Sequence, residues 1–345
     1  MPKNSQETLL EVRNLSISFH TYEGEVAAVR NVDFSLRRGE VLAIVGESGC
    51  GKSVSTQAIL GLTPIPPGEI KSGQILFKGQ DLLKLDDVGL SRICGSQISM
   101  IFQDPMTSLN PTMKIGNQIA EIIRQHQKGR SKRDCIREAV ELLRLVGIAE
   151  PETRVKQYPH ELSGGMRQRV MIAMAMANRP EILIADEPTT ALDVTIQSQI
   201  IRLIKELKSR FGTAIILITH DLGVVAGIAD RIVVMYAGKV MEEGLTDQIY
   251  YAPRHPYTAG LLRAVPAMTD DSEKELRTIK GVPPSLLNLT PGCPFAPRCD
   301  YAMKVCALQE PEYHYQAENR VFCWLYDQRA AEQLAKFEGM KDRWA

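Results

Sequence analysis

Two segments near the start of the chain alternate apolar with polar residues over most of their length. They are LLEVRNLSISF (9–19) and VAAVRNVDFSL (26–36). An alternation with a period of two is typical of a strand that is buried on one face only. Such strands are common in antiparallel sheets that have one solvated face. The pattern therefore predicts an antiparallel β subdomain in this part of the chain.

Three shorter apolar runs show no alternation, and they lie within residues 40–46, 180–188 and 213–221. A continuous apolar run of this length is typical of a strand buried on both faces of a parallel sheet. Between the last two runs, residues 195–212 carry isoleucine and leucine at helical spacing and end in glycine, which favours the end of a helix. A strand, a helix and a second strand in this order form a crossover unit. The sequence therefore predicts an α/β core.

Helical spacing replaces the strand pattern between about residues 104 and 164. We interpret this stretch as a helical subdomain that is inserted into the α/β core. Residues 131–147 illustrate the spacing, because apolar side chains recur there on a single helical face. The predicted apolar face comprises Ile136, Ala139, Val140, Leu143 and Val146.

The chain changes character after residues 231–244, which predict a β-hairpin that turns at Ala237 and Gly238. From about Pro266 onward it is rich in proline and carries four of its seven cysteines. We therefore predict an α/β domain over residues 1–265, with the helical subdomain inserted in it. Residues 266–345 are predicted to form a small cysteine-rich C-terminal extension.

Composition narrows the possible partners of the chain. Among its 345 residues, 41 are lysine or arginine and 41 are aspartate or glutamate, so the formal charge is zero. A balanced charge argues against a nucleic-acid binder that relies on a general basic field. The first residues form no apolar signal region, and no apolar run reaches about 18 residues. We therefore expect a cytosolic or peripheral protein.

The segment GESGCGKS (46–53) directly follows a predicted strand and matches the phosphate-loop pattern G-x-x-x-x-G-K-[ST]. Its glycines allow backbone N–H groups to wrap phosphates, Lys52 can neutralise the β- and γ-phosphates, and the Ser53 hydroxyl can bind Mg²⁺. A structural alternative is a plain glycine-rich turn. The residues expected to contact ATP here are Gly46, Ser48, Gly49, Cys50, Gly51, Lys52, Ser53 and Val54.

Two adjacent acids, Asp186 and Glu187, follow the apolar run Ile182–Ala185 at the end of a predicted strand in ILIADEP (182–188). Asp186 is placed to hold Mg²⁺ through its water shell, and Glu187 can orient and activate the attacking water. The alternative interpretation is a solvated strand end without a catalytic role. A buried apolar run before the pair and a phosphate loop upstream favour the catalytic one.

Several single residues are weaker candidates for the same site. His220 ends the next predicted strand, and ligands of open α/β sheets bind where parallel strands end, so it can contact the γ-phosphate and the water. Gln103 lies at the border of the helical subdomain, where its amide can reach Mg²⁺ or the water. Tyr22 or Phe19 can stack on adenine. A structural role is the alternative for each.

The segment LSGGMRQRV (162–170) looks like a second phosphate-binding helix start. Ser163 fits an N-cap, while Gly164 and Gly165 permit close approach of the backbone to an anion. Within one chain this feature is redundant, because the phosphate loop already serves the nucleotide. A second cassette packed head-to-tail resolves the redundancy. The Ser163 helix of one subunit would then cover the γ-phosphate that is held by the other.

The ordered motifs GESGCGKS, FQDP, LSGGM, LIADEP, ALD and ITHD resemble those of the ATP-binding cassette (ABC) family across about residues 8–260. The resemblance implies a P-loop NTPase fold, Gln103 as the Q-loop residue and His220 as the switch histidine. It assigns Asp186 to Mg²⁺ binding and Glu187 to base catalysis. The signature residues Ser163, Gly164, Gly165 and Met166, together with Asp193 of the Ala191-Leu192-Asp193 D-loop, would contact ATP in trans.

Longer segments, among them FQDPMTSLNPTM and KGVPPSLLNLTPGCPFAPRC, are similar to ATPase subunits of bacterial peptide and nickel importers, and most similar to the oligopeptide and dipeptide members. The resemblance implies an ATPase that drives peptide translocation from the cytoplasmic face of the bacterial inner membrane. It implies a second ATPase as partner, expected to be a homologue in a heterodimer. Two transmembrane permease subunits and an extracytoplasmic peptide-binding protein complete the expected assembly, whose coupling helices contact the helical subdomain.

Four cysteines in the extension follow the spacing C-x₅-C-x₆-C-x₁₆-C. Four thiolates can hold Zn²⁺ or a four-iron cluster, and the wide spacing favours the cluster because zinc sites usually contain C-x₂₋₄-C pairs. The resemblance to peptide importer ATPases also implies a [4Fe–4S] cluster. Zn²⁺ and unligated cysteines remain alternatives. The candidate ligands are Cys293, Cys299, Cys306 and Cys323.

Three other functions stay open at this point. The transported solute can be nickel or another small solute of the same family. A non-transport ABC ATPase that acts on DNA or ribosomes is disfavoured, because the insert spans only about 60 residues and the chain holds a single cassette. A metalloprotein in which ATP serves only as a regulator is disfavoured by the intact acidic pair and signature.

Overall fold

The computed structural model of the protein describes residues 7–190, 193–264, 279–287 and 289–339. Ala191 and Leu192 of the predicted D-loop, and Pro266 at the predicted domain border, lie outside these residues. The chain divides into two compact units. Their described residues are 7–9, 36–41, 81–190 and 193–218 for the first unit, and 10–35, 42–80 and those from 219 onward for the second.

The strands of both units are numbered along the chain. Within the described residues they are β1 (Thr8–Thr21), β2 (Gly24–Arg37), β3 (Val41–Val45), β4 (Gly68–Phe77), β5 (Gln80–Asp81), β6 (Ile98–Ile101), β7 (Ile182–Asp186), β8 (Ala214–Thr219), β9 (Arg231–Tyr236), β10 (Lys239–Leu245), β11 (Tyr313–Gln316) and β12 (Asn319–Phe322).

The helices are numbered in the same way. In the part of the chain that the structure describes they are α1 (Lys52–Gln57), α2 (Asp87–Ile93), α3 (Pro105–Ser108), α4 (Ile115–His126), α5 (Lys132–Leu145), α6 (Pro151–Arg154), α7 (Gly164–Ala175), α8 (Val194–Phe211), α9 (Leu222–Ala226), α10 (Thr246–Tyr251), α11 (Pro256–Arg263), α12 (Lys304–Leu308) and α13 (Ala331–Glu338). None of these described helices combines the length and the apolar character that a membrane crossing requires.

Parallel strands form the sheet of the first unit. Strand β7 lies between β6 and β8, and Ile182 at its start is opposite both Ile98 and Ala214. All five residues of β7 are buried, because both faces of a parallel sheet are covered. The predicted crossover unit of strand, helix and strand is thereby confirmed, and the acids at the end of β7 reach the carboxyl edge of this sheet.

Helices α3 to α6 of the first unit lie within the stretch that the sequence predicts to be helical. Helix α5 begins at its N-cap Ser131, whose side chain accepts a hydrogen bond from the backbone N–H of Asp134. It packs against α4 and α7. The predicted face is partly wrong, because Ile136 and Val140 are only half-buried. The fully buried side chains of α5 and the residue after it are Cys135, Ala139, Leu142, Leu143 and Val146.

Helix α8 follows the predicted boundaries closely. Its N-cap is Asp193, whose Oδ1 accepts a hydrogen bond of 2.9 Å from the backbone N–H of Ile196. It ends at Gly212, which adopts a left-handed conformation with φ of 68°. Glycine carries no Cβ penalty there, which explains why the helix stops at this residue.

In the second unit, neighbouring strands pair in the order β3, β9, β10, β12 and β11. Strand β3 is parallel to β9, and β9 is antiparallel to β10. The predicted hairpin is confirmed, and its turn residues Ala237 and Gly238 have φ values of 47° and 78°. Two central residues with positive φ match the strand twist of a two-residue hairpin. This hairpin places β9 directly beside the strand that precedes the phosphate loop.

The predicted antiparallel subdomain is also part of the second unit, where the strand order is β2, β1, β4 and β5. Strand β1 pairs antiparallel with β4, with Leu10 opposite Phe77 and Ile17 opposite Ile70. The register shifts between Arg13 and Ser16. A bulge of this kind explains why the alternation of apolar residues in β1 is incomplete.

The C-terminal residues share both a sheet and a core with the rest of the second unit. Strand β12 pairs antiparallel with β10, where Glu242 lies opposite Val321. Phe295 and Phe322 are buried in the same cluster as Val234 and Tyr236. The sequence pattern indicated an extension beyond the α/β domain, whereas its described residues continue the architecture of that unit.

Candidate active site

The phosphate-loop segment joins β3 to α1, as its sequence predicts. A Cβ atom on Gly51, whose φ is 95°, would lie only 2.3 Å from the carbonyl oxygen of Ala28. Only glycine fits this close approach of two backbones. Cys50 is 4% exposed, and burial raises the pKa of its thiol, so its contribution to a nucleotide site is that of backbone and packing.

Lys52 lies at the first position of α1 and is buried. Its Nζ donates hydrogen bonds of 2.8 Å to the carbonyl oxygen of Gly46 and 2.9 Å to that of Glu47. Its third contact is Cys50 Sγ at 3.8 Å. Because sulfur is a weak acceptor, an anion can replace it as the partner of the third N–H group. Ser53 and Val54 follow Lys52 in the first turn of α1, and the N-terminal turn of a helix favours anions.

The acidic pair lies at the end of β7 in the first unit. Asp186 is 3% exposed. Glu187 has a positive φ of 45°, an uncommon conformation that is frequent in functional sites. Its Oε2 accepts hydrogen bonds from Gln103 Nε2 at 3.0 Å and from Thr190 Oγ1 at 2.7 Å. The structure thus brings the predicted residues Gln103 and Glu187 into contact.

Thr190 is a contact that sequence reasoning missed. It follows Glu187 by three residues, and its backbone N–H donates to the carbonyl oxygen of Glu187. The two threonines after Asp-Glu-Pro were the available signal, because a hydroxyl three residues away can reach back within a turn. Its hydroxyl and the Gln103 amide together fix the orientation of the glutamate.

The signature segment begins α7, and Ser163 is its N-cap, as predicted. The Ser163 side chain accepts a hydrogen bond of 3.3 Å from the backbone N–H of Met166. Ser163 and Gly164 are exposed. A Cβ atom on Gly165 would lie 3.1 Å from Ile196 Cγ2, so the start of α7 lies beside the start of α8, which Asp193 caps. The first residues of this helix start are thus exposed, whereas Gly165 and Met166 are half-buried.

The remaining predicted residues lie in the second unit. His220 directly follows β8 and is exposed. Tyr22 lies in the turn between β1 and β2 and is fully exposed, whereas Phe19 within β1 is half-buried. Of the two aromatic candidates, Tyr22 is therefore the one whose ring face is open for stacking.

Comparison with known proteins decides the family. Residues 29–190 match the family model of the ABC transporter. Residues 241–306 match that of the C-terminal region of oligopeptide/dipeptide transporters. The chain is 59% identical over 303 residues to the oligopeptide transport ATP-binding protein OppD of Bacillus subtilis, which covers 88% of this chain and 84% of that protein. The chain belongs to the ABC transporter family.

Other similar proteins agree with this assignment. This ABC transporter ATPase is 54% identical over 325 residues to the dipeptide transport ATP-binding protein DppD of Bacillus subtilis, covering 94% of this chain and 96% of that protein. Among solved structures, it resembles the dimeric structure of MJ0796, a bacterial ABC transporter cassette, with a TM-score of 0.62 and 29% identity. That match covers 69% of this chain and 98% of the other. The fold is that of an ABC cassette, and its activity is ATP hydrolysis.

The four C-terminal cysteines of this ABC transporter ATPase line one cavity of about 20 Å³. Aromatic side chains, among them Phe295 and Trp324, complete its walls. Burial raises the pKa of Cys293 to about 11 and that of Cys299 to about 12, so these thiols keep their protons unless a metal displaces them. The cysteines are Cys293, Cys299, Cys306 and Cys323.

The chemistry of the four side chains fits a metal centre, because four thiols line one apolar cavity. A tetrahedral Zn²⁺ with Zn–S bonds of about 2.3 Å needs its four sulfurs about 3.8 Å apart. Among the described residues, no group of three or more His, Cys, Asp or Glu side chains is placed to hold a metal ion. The comparisons likewise give no support for an iron–sulfur cluster, and the prediction of one is not confirmed.

Proposed function

We propose that this chain is the energy-coupling ATPase of a bacterial importer for oligopeptides or dipeptides. The observation that carries the proposal is the similarity to OppD and DppD along most of the chain. It includes residues 241–306, which match a region described for oligopeptide/dipeptide transporters. A transporter of nickel or another small solute of the same family is the second candidate.

We assign the two faces of an ATP site to different segments. The phosphate loop would bind the triphosphate, with Lys52 at the β- and γ-phosphates and Tyr22 on adenine. Ser53, Gln103 and Asp186 would hold Mg²⁺. These assignments rest on the positive end of α1, the buried ammonium of Lys52 and the carboxylate at the end of β7.

The attack of water on the γ-phosphate would use Glu187 as the general base. Its carboxylate takes the proton of the water while Gln103 and Thr190 hold the carboxylate in place. His220 would contact the γ-phosphate. The main contributions of such a site would be orientation of the water and charge stabilisation.

The signature segment would contribute to the ATP site of a neighbouring cassette. Its exposed N-cap Ser163 and the following backbone donors favour an anion that arrives from outside the chain. Gly164, Gly165, Met166 and Asp193 would share this contact. A similar cassette has been solved as a dimer, which supports a pair of cassettes closing on ATP.

The assembly would contain a second ATPase as a heterodimer partner, two transmembrane permeases and an extracytoplasmic peptide-binding protein. The chain would then be peripheral on the cytoplasmic face of the inner membrane. Pull-down of the full chain from detergent-solubilised membranes tests this. Two integral permeases and a second cassette are expected as stoichiometric companions, whereas ribosomes, nucleic acid or no companion at all would contradict the transport role.

Peptide transport is tested in the same assembly. Proteoliposomes that contain the captured complex and a binding protein are expected to consume ATP faster when a mixture of short peptides is added. Stimulation by Ni²⁺ instead of peptides would favour the second candidate.

We propose further that Cys293, Cys299, Cys306 and Cys323 hold a [4Fe–4S] cluster, with Zn²⁺ as the alternative. Their convergence on one apolar cavity supports this. When bound, the cluster would cross-link the C-terminal loops and could exchange an electron. Anaerobically purified protein should be brown with four irons per chain, and colourless protein with one zinc would refute the cluster.

A further inference from the structure

A glutamate lies inside the phosphate loop, where a negative charge opposes the binding of a triphosphate. Glu47 is the second residue of the segment from Gly46 to Ser53. Like charges repel more strongly when they are partly removed from water. An uncompensated carboxylate at this position therefore weakens any phosphate site that the loop forms.

Arg298 from the cysteine-rich region supplies the compensating charge. Its Nη1 lies 2.6 Å from Glu47 Oε2, and its Nη2 lies 3.0 Å from Glu47 Oε1. The Arg298 side chain is 6% exposed and the Glu47 side chain 25% exposed, so the pair is partly shielded from solvent and salt. Bidentate pairing between a guanidinium and a carboxylate fixes geometry as well as charge. Arg298 thus both neutralises and orients Glu47.

The backbone of Glu47 is hydrogen-bonded to two side chains, those of Tyr257 and Lys52. Its N–H donates a hydrogen bond of 3.0 Å to the hydroxyl of Tyr257. Its carbonyl oxygen accepts one of 2.9 Å from Lys52 Nζ. A rotation of Glu47 therefore moves a carbonyl that helps to position the ammonium of Lys52.

Arg298 is itself fixed by its surroundings. Its Nη1 donates to the hydroxyl of Tyr236 at 3.1 Å, and its Nε donates to a main-chain carbonyl at 2.9 Å. Phe295, three residues earlier, packs its ring against those of Tyr236 and Tyr257 with centroids 5.4 and 5.3 Å apart. The loop from Cys293 to Cys299 therefore supplies Arg298, which pairs with the Glu47 carboxylate, and Phe295, which packs on Tyr257, the partner of the Glu47 N–H group.

We propose that Arg298 is a positioning residue for the phosphate loop, which sets the ATP affinity of the cassette by neutralising and orienting Glu47. The proposal rests on the ATP-binding role assigned above to this loop. It gives the cysteine-lined region a direct physical connection to the nucleotide site, whichever group the cysteines hold.

The charge hypothesis is tested by titrating the complete purified chain with a fluorescent ATP analogue. Arg298→Ala is expected to weaken binding about tenfold, within the usual range for coupling between sites. Adding Glu47→Gln to Arg298→Ala is expected to restore most of the affinity, because the repelling charge is removed. Arg298→Lys keeps the charge without the bidentate geometry and should give an intermediate affinity.

A purely structural role of Arg298 gives a different pattern. If the double variant binds the analogue no better than Arg298→Ala, or if Arg298→Ala binds it as tightly as the wild type, the proposal is overturned. Arg320→Ala is the matched control, because Arg320 forms a similarly buried pair with Glu243 at 2.7 Å in the same unit. It should lower the melting temperature but leave the affinity unchanged, and an equal loss of affinity there would also overturn the proposal.

Lys52→Ala separates failure of this proposal from failure of the ATP-site assignment. Wild-type affinity in Lys52→Ala would contradict the assignment of the phosphate loop itself. Loss of binding in Lys52→Ala together with full binding in Arg298→Ala would contradict only the role of Arg298.

Discussion

Replacing Glu187 by glutamine is expected to stop ATP turnover while ATP binding is retained. The amide cannot take the proton of the attacking water, and loss of a general base typically slows a reaction by about 10² to 10⁴-fold. Glutamine keeps an oxygen that accepts hydrogen bonds from Gln103 and Thr190, so the local structure should persist. Because ATP is bound but not cleaved, the closed pair of cassettes should accumulate.

The measurements are phosphate release, nucleotide binding and ATP-dependent association of the purified assembly. Glu181→Gln is the matched control, because Glu181 lies just before the other end of β7 and pairs at 3.2 Å with Arg38. That pair is partly exposed and contributes little to stability, so turnover should stay at the wild-type rate. Wild-type turnover in Glu187→Gln would show that another group is the base.

Substitution of Gly164 by aspartate is expected to abolish ATP turnover at the site where the phosphate loop of the neighbouring cassette holds the nucleotide. Gly164 is the first residue of α7 and is exposed. An acidic residue at a helix N-terminus is favourable for the helix itself, so the chain should fold normally. The same carboxylate would face the γ-phosphate held by the partner, and its charge would oppose closure.

The expected result is that Gly164→Asp lowers ATP turnover by the assembly without lowering ATP binding by the single chain. Binding of the ATP analogue to the single chain should remain near the wild-type value, while phosphate release by the assembly should fall at least about a hundredfold. Lys132→Asp is the control, since Lys132 is the first residue of another serine-capped helix, α5. It should keep full activity. If Gly164→Asp hydrolyses ATP normally, the shared site is refuted.

Much of the fold was predictable because the deciding signals are local. The apolar runs of β3, β7 and β8, the glycine that ends α8 and the hairpin turn at Ala237 and Gly238 each specify their structure within a few residues. Strands β11 and β12 were not predicted. Each is four residues long. Strand β12 is placed by its pairing with β10, where Glu242 lies opposite Val321, and β11 is placed by its pairing with β12. Such pairing between segments distant in the chain has no local signal.

In the candidate site, too, local features could be predicted from the sequence and contacts between distant segments could not. The sequence could propose the phosphate-loop residues, the acids at the end of β7 and the cap Ser163, because each motif is contiguous. The order of these motifs along the chain also indicated the ABC family. Contacts between distant segments were not found, and the pairing of Arg298 with Glu47 joins residues 251 positions apart. No short pattern encodes such a pair, since either residue alone looks like an ordinary surface charge.

The pairing of β12 with β10 limits how the chain can be shortened or recombined. A truncation after residue 265 would strip the partner from a strand in which Glu242 and Glu243 are buried. An uncovered strand edge is a template for aggregation. A chimera that takes its C-terminal residues from a relative would therefore also need the β9–β10 hairpin of that relative, because β12 and β10 pair with each other.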